Sequence, residues 1–295
     1  MPGPDSPDGL DEQELLGLRD LAVAVASEAG ILVLAGLCPP GSTDRWSERP
    51  EAKSSPTDFV GSVDRASEKL VVERILQARP NDGILAEEGG RFVGTSGVTW
   101  VIDPLDGTTN FLHGISCFSV SIAAVTGEDP AASPSIGNVV AGAVHDPVHG
   151  ETFAAALGCG ATLNGRTLKV VDPLGGLPGA LVGTGFSYAS GRRADQARLL
   201  PHVLPAVADI RRAGSAALDL CSVACGRLDA YYEAGLSPWD LAAGRLVVTE
   251  SGAKIELLDG IVPGIPTVVA GAPALHEALV ALLRAAARSS AQLGG

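Results

Sequence analysis

The sequence predicts a mixed fold in two halves: an α+β half over residues 12–175 and an α/β half over residues 176–295, with a flexible tail over residues 1–11. Three observations predict it. The chain has 295 residues, of which 46 % are hydrophobic and only 19 % charged, enough to bury the core of one large domain or of two that share an interface. Apolar residues recur at helical spacing up to about residue 78 and then give way to short runs bounded by Gly, Pro or Asp. Beyond Pro178, strand-like and helix-like stretches alternate.

The elements follow in order. Leu15, Leu18, Ala22, Val25 and Ala29 share one face of a first helix, and Gly30 is its expected stop. A polar loop from Cys38 to about Thr57 leads to a second helix, which carries Leu70, Val71, Ile75 and Ala78 and ends before Pro80. Residues 98–103, 117–125, 139–145 and 151–156 read as strands of a mostly antiparallel sheet, with 127–138 a hairpin loop by composition. In the second half, 179–186 reads as a strand and 195–207 as a helix broken by Pro201 and Pro205. Ser215 can cap a helix whose buried stripe is Ala217, Leu220, Cys221 and Ala224, with Gly226 as its stop. Residues 229–233 and 267–271 complete the strands, and 241–251 and 274–287 the helices.

Composition narrows the function. A net charge of −13 argues against direct nucleic-acid binding, which calls for a basic face. Anionic phosphates become acceptable partners once bound divalent cations reverse the local sign. Five cysteines with no CxxC pair argue for a reducing cytoplasm over a disulfide framework or a zinc knuckle. The first eleven residues have neither the basic nor the apolar region of a signal peptide. The most apolar stretch, 21–37, is short for a membrane span and is interrupted by Ser27 and Glu28.

Chemistry concentrates in three acidic strings: Glu87-Glu88-Gly89, the run from Asp103 to Thr109 (DPLDGTT), and Trp239-Asp240. Asp103 ends an apolar strand, where a buried carboxylate is costly without a partner. Pro104 turns the chain so that Asp103, Asp106 and the Leu105 carbonyl can face one pocket, an oxygen set suited to Mg²⁺. Gly107 permits close backbone approach, and successive N–H groups through Thr108 and Thr109 can hold a phosphate oxygen. Pro238 stiffens the approach to Asp240 and leaves its side chain free to ligate. DPLDGT alone could be a strand-ending turn, but the flanking acidic strings weigh against that. The five histidines form no HExxH pattern and read as structural or surface residues, and Trp100 and Trp239 read as packing anchors. No Ser or Cys sits in a recognisable nucleophile motif, which favours direct attack by water.

These strings (EEG, WVIDPLDGTTNF and SPWDLAAG), together with KSSPTDFVGSVD, GCGATLNG and RRAGSAALDLC, resemble those of the inositol monophosphatase family from about Leu15 to Leu283. The resemblance implies a layered αβαβα fold, a homodimer, two or three Mg²⁺ per active site and inhibition by Li⁺. It implies a first metal held by Glu87, Asp103 and the Leu105 carbonyl, and a second held by Asp103, Asp106 and Asp240. Asp64 and Thr108 match the pair that activates the attacking water, so that Asp64, Glu87, Asp103, Asp106 and Thr108 form the expected catalytic set. Gly107 and Thr108 match phosphate-holding amides, while Glu233 and Gly214-Ser215-Ala216 match contacts to substrate hydroxyls. The expected substrate-facing set also includes Glu87, Leu105, Asp106 and Asp240. Lys53 is a weaker candidate for a remote substrate role. Gly61 and Ala86 depart from the family's usual Thr and Gly.

The implied activity is hydrolysis of a small polyol monophosphate, with inositol 1-phosphate leading. Fructose 1,6-bisphosphate, histidinol phosphate and adenosine 3′,5′-bisphosphate are the alternatives. A different class of role is that of an interaction partner in RNA processing or transcription.

Overall fold

The computed structural model describes residues 9–38, 51–52, 59–127 and 138–293. Lys53, most of the loop from Cys38 to Thr57, most of the 127–138 loop and the start of the N-terminal tail lie outside the described residues. Five layers stack as α, β, α, β, α. The outer layer holds α1 (Glu12–Ala35) and α2 (Ser62–Ala78). Asp11 starts α1 with a capping box: its side chain accepts from Glu14 N at 2.9 Å, and Glu14 accepts from Asp11 N at 2.9 Å.

Gly30 does not stop α1, which runs on to Ala35 with Gly36 at its C-terminal cap. A Cβ at Gly30 would lie 2.4 Å from Cδ2 of His145, so this glycine is a notch that lets the helix pack on the sheet.

That sheet has eight strands. In chain order they are β3 (Gly83–Ala86), β4 (Arg91–Phe92), β5 (Val98–Asp106), β6 (Ser119–Thr126), β7 (Asn138–Asp146), β8 (Glu151–Ala156), β9 (Gly160–Leu163) and β10 (Arg166–Thr167). A two-strand ribbon of β1 (Glu51–Ala52) and β2 (Phe59–Val60) precedes them. The spatial order is β10-β9-β8-β7-β6-β5-β3-β4, antiparallel except for the parallel pair β3 and β5. Between β5 and β6 a short helix, α3 (Thr108–His113), follows Gly107.

The second sheet holds β11 (Leu181–Thr184), β12 (Asp209–Arg211), β13 (Ala230–Ala234), β14 (Lys254–Val262) and β15 (Ile265–Gly271) in the order β12-β11-β13-β15-β14. Between the sheets lie α6 (Ala216–Ala224) and α7 (Pro238–Glu250). The far side is covered by α5 (Leu200–Val203) and α8 (Pro273–Leu293), with α4 (Ser190–Ala197) preceding α5. The predicted 195–207 helix is thus two short helices and a 3₁₀ turn, broken at the two prolines.

Three apolar clusters fill the gaps between layers. One joins Val25, Ala29 and Ile75 to Trp100, Ile102 and Ile122 on one face of the first sheet. A second joins the opposite face, through Val101 and Ala123, to Leu220, Val247, Tyr231 and Val268. The third lies between the second sheet and α8, around Tyr232, Val269, Leu275 and Leu279. The central cluster draws on both sheets, so α6 and α7 are fixed from both sides. That places their N-termini against the first sheet.

Candidate active site

Asp103 and Asp106 are three residues apart on β5, and a regular strand would send them to opposite faces. A bulge prevents this. Asp103 pairs with Ser121 and Asp106 with Ser119, so three steps on β5 match two on β6. Ser119 and Ser121 share a face, and so therefore do the two carboxylates. Pro104 and Leu105 form the bulge: Leu105 N donates to Asp103 Oδ1 at 3.1 Å, and the Pro104 carbonyl accepts from Ser67 Oγ of α2 at 2.8 Å.

Glu87 arrives through the parallel pairing of β3 and β5. Ala86 is in register with Ile102, so Glu87 emerges beside Asp103, with its N–H bonded to the Ile102 carbonyl at 3.1 Å. The loop that follows is held from α2. Glu68 accepts from Glu88 N at 2.7 Å and from Gly90 N at 3.0 Å.

Asp240 comes from the N-terminus of α7, whose first turn begins at Pro238. Its Oδ2 accepts from Ser237 N at 2.7 Å. A carboxylate that accepts one hydrogen bond keeps lone pairs for a cation. One oxygen each of Asp103, Asp106 and Asp240 lies within 4.8 Å of the others, the only such group of potential ligands among the described residues. Glu87 stands just outside it as a hydrogen-bonding neighbour of Asp103, and its charge acts on all three.

The electrostatics follow from burial. Asp103 is pushed well above the usual carboxylate range by burial first, then by the charges of Glu87, Asp106 and Asp240. Asp240 is raised well above it for the same reasons, tempered by the Ser237 N–H. Asp106 is pushed up to about 6, also by burial, and is held there by donors at the start of α6. Its Oδ2 accepts from Ser215 Oγ at 2.5 Å and from Ala217 N at 2.9 Å. Several carboxylates so close cannot all ionise without a cation, and buried, oxygen-only donors of this kind fit a hard divalent ion.

Asp64 occupies the third position of α2, with 1 % of its surface exposed. Its Oδ2 accepts from Gly61 N at 3.0 Å, and its Oδ1 accepts from Thr108 Oγ1 at 2.9 Å. Thr108 Oγ1 also lies 3.0 Å from the Leu105 carbonyl oxygen, which ties the Asp64–Thr108 pair to the carboxylate group. Gly107 has φ of 93°, and a Cβ there would meet the Cys117 carbonyl oxygen at 2.9 Å, so only glycine suits this turn.

On the far side of the cleft, Asn110 Nδ2 donates to the Cys117 carbonyl at 2.7 Å and to the Ala213 carbonyl at 2.9 Å, fixing Gly214-Ser215-Ala216 beside Asp106. Ser215 caps α6 as expected, accepting from Leu218 N. Glu233 accepts from the Tyr231 hydroxyl at 2.5 Å, and a Cβ on Gly185 would lie 1.8 Å from its Oε2. Burial pushes Glu233 up to about 7, against the hydrogen bond from Tyr231 and the positive charge of Arg212. Asp219, on α6, is pushed up to about 8 by burial and by the charges of Glu233 and Asp106.

Sequence reasoning missed Ser67, Glu68, Asn110, Gly185, Asp219 and Tyr231. A signal existed for the first two. Asp64, Ser67 and Glu68 extend the stripe of Val71 and Ile75 toward the helix start, so buried positions are filled by polar residues. His145 pairs with Thr152 and His149 with Asp146.

A layered fold that gathers carboxylates at the starts of two helices, beside a buried Asp–Thr pair, defines a phosphoric monoester hydrolase. The chain belongs to the inositol monophosphatase family, whose model matches residues 16–288. The inositol-1-monophosphatase SuhB of Mycobacterium tuberculosis is 43 % identical over 288 residues, covering 92 % of this chain and 95 % of that protein. A protein of Pseudomonas aeruginosa named Nus factor SuhB is 40 % identical over 250 residues, covering 82 % and 86 %. The solved structure of M. tuberculosis SuhB superposes with a TM-score of 0.75 at 41 % identity, covering 94 % of this chain and 98 % of that one. That of a Bartonella henselae SuhB gives 0.77 at 33 % identity, covering 91 % and 98 %. No helix among the described residues is long and apolar enough to cross a membrane.

Proposed function

We propose that the chain hydrolyses inositol 1-phosphate or a closely similar polyol monophosphate in a Mg²⁺-dependent reaction. The observation that carries this reading is the joining of the Asp103–Asp106–Asp240 group to the Asp64–Thr108 pair through the Leu105 carbonyl. Glu87, Asp103, the Leu105 carbonyl, Asp106 and Asp240 would hold the cations. Bound Mg²⁺ would neutralise phosphate charge and polarise both the attacking water and the leaving oxygen.

The remaining steps belong to this chain's own groups. Thr108 Oγ1 donates to Asp64 Oδ1 and offers a lone pair to the attacking water. Asp64 Oδ1 is where the water's proton is finally held. The N–H groups of Gly107 and Thr108 would receive phosphate oxygens. Glu233, and Ser215 with its neighbours Gly214 and Ala216, would orient the polyol. Glu233 favours hydroxyl groups over a second phosphate, because a carboxylate accepts hydrogen bonds and repels an anion. Homodimer formation, Li⁺ inhibition and a cytoplasmic setting complete the proposal, the last supported by cysteines that are all unpaired.

The test is phosphate release from a panel of inositol 1-phosphate, fructose 1,6-bisphosphate, histidinol phosphate and adenosine 3′,5′-bisphosphate, with Mg²⁺ and with Mg²⁺ plus Li⁺. Inositol 1-phosphate should give the highest kcat/KM. Preference for a bisphosphate by tenfold or more would overturn the substrate assignment. A second reading, participation in transcription complexes, is favoured by relatives named Nus factor SuhB at 38–43 % identity. It would be supported if the wild type co-purified with transcription proteins and Asp103→Asn, lacking turnover, did so equally.

A further inference from the structure

Tyr231 and Glu233 are two apart on β13, so they project from the same face of the second sheet, the face packed against α6. Gly183 of β11 is in register with Tyr231, and Thr184 with Tyr232, which brings Gly185 level with Glu233 on the neighbouring strand. Both glycines make room for the pair. A Cβ at Gly183 would lie 3.1 Å from Cδ2 of Tyr231 and 2.7 Å from Cδ1 of Leu228. A Cβ at Gly185 would lie 1.8 Å from Oε2 of Glu233, 2.1 Å from its Cδ and 2.3 Å from its Oε1, so the whole carboxylate rests where a side chain would stand. The Tyr231 ring is fully buried in the central apolar cluster, where phenylalanine would pack as well. Its hydroxyl feels the charges of two neighbouring carboxyls, Glu233 and Asp219, and gives its single proton to Glu233 at 2.5 Å. Glu233 is partly exposed, and its charge reaches Asp240, so it borders the acidic group.

We propose that Tyr231 and Gly185 are positioning residues, which together seat the Glu233 carboxylate so that it is in place before the polyol arrives. Tyr231 does so by its hydrogen bond, and Gly185 by leaving open the space that the carboxylate fills. A glutamate has several rotatable bonds, and an acceptor already fixed in its bound position loses less freedom when a ligand hydroxyl reaches it. Gly185 has no positive φ, so it is needed here for its missing side chain and not for its backbone. Two residues on different strands converge on one carboxylate, which a packing role for Tyr231 alone would not require. The effect on substrate rests on the reading of Glu233 as a polyol contact. The seating of the carboxylate does not.

The test is a set of double-mutant cycles on the full chain with Mg²⁺. Tyr231→Phe keeps the buried ring and removes the hydroxyl. Gly185→Ala adds a Cβ that meets only the far end of a flexible side chain, so the fold should hold while the carboxylate moves by about 1 Å or more. Each should raise KM for inositol 1-phosphate by about three- to tenfold with little change in kcat, and should affect p-nitrophenyl phosphate much less. In a Glu233→Ala background there is no carboxylate to seat, so neither substitution should alter KM further. Equal losses on both substrates, losses that persist undiminished in the Glu233→Ala background, or an unchanged KM in both single variants overturn the proposal. If Glu233→Ala itself leaves KM unchanged, or the wild type does not hydrolyse inositol 1-phosphate, the reading of Glu233 as a polyol contact fails. Crystal structures of the two single variants then decide the seating: a displaced Glu233 carboxylate supports it, and a carboxylate in the wild-type position overturns it.

Discussion

Replacing Glu233 by Gln keeps the shape of the side chain and removes its charge, which isolates the role proposed for it. One carboxylate oxygen already accepts from the Tyr231 hydroxyl, so one oxygen at most is wholly free for substrate. Loss of a single charge-assisted hydrogen bond of about 1.5–3 kcal/mol corresponds to a ten- to hundredfold weaker interaction, and a single bond places the effect near tenfold. The effect should also depend on pH. Burial raises Glu233 to about 7, so the wild-type side chain is ionised above that value and protonated below it. The KM ratio of variant to wild type should therefore be largest near pH 8.5 and shrink toward one near pH 6. The assay is steady-state phosphate release from inositol 1-phosphate at both pH values, with p-nitrophenyl phosphate as a substrate that lacks the ring hydroxyls. Equal losses on both substrates, no loss on either, or a ratio independent of pH would refute the reasoning.

Other outcomes follow from the same geometry. Ser215→Ala removes a donor to Asp106 and the cap of α6, so melting should show a loss of about 1–3 kcal/mol and Mg²⁺ affinity should change; unchanged stability would mean that Asp106 is held by the Ala217 N–H alone. Glu68→Gln leaves one N–H of the Glu88–Gly90 loop facing an amide donor, and Mg²⁺ affinity measured by calorimetry should fall about tenfold without a change in substrate preference; unaltered affinity would place the loop outside the cation site. In chelator-treated protein, Asp106, Glu233 and Asp219 sit at about 6, about 7 and about 8, above their ordinary values. The native state then holds protons that the unfolded chain releases, so the stability these groups contribute is full below about pH 4 and is lost as pH rises to about 8. Added Mg²⁺ should restore more stability at pH 8 than at pH 5, and a melting temperature that rises with pH without Mg²⁺ would contradict the account.

Much of this was legible in the sequence because the defining elements are local. The helical stripe of Leu15 to Ala29, the strand at 151–156 and the Ser215 cap depend on neighbours in the chain, and they stand where the pattern puts them. The pairing of Asp103 with Asp106 was legible because Pro104 and Gly107 mark the turn between them. What escaped depends on contacts across the chain. Gly30 reads as a stop unless His145 is known to fill its notch. The strand Gly83–Ala86 is only four residues long, yet its parallel pairing with β5 is what brings Glu87 to Asp103. β14 mixes Lys254, Glu256 and Asp259 with Gly260 and a register shift, so it has no clean alternation to read. Glu68 and Asp219 look like ordinary helix charges until their burial is seen.

The central claim is that the Asp103–Asp106–Asp240 group holds the cations on which hydrolysis depends. The most direct measurement is Mg²⁺ binding and phosphate release for wild-type and Asp103→Asn protein side by side, with thermal melting as the control for folding. The amide keeps the shape of Asp103 and its bond to Leu105 N while removing the charge. The expected result is a variant that melts at or above the wild-type temperature in chelator, binds Mg²⁺ weakly and releases no measurable phosphate. Near-normal turnover by Asp103→Asn at saturating Mg²⁺, or full activity of the wild type in chelator, would contradict the account.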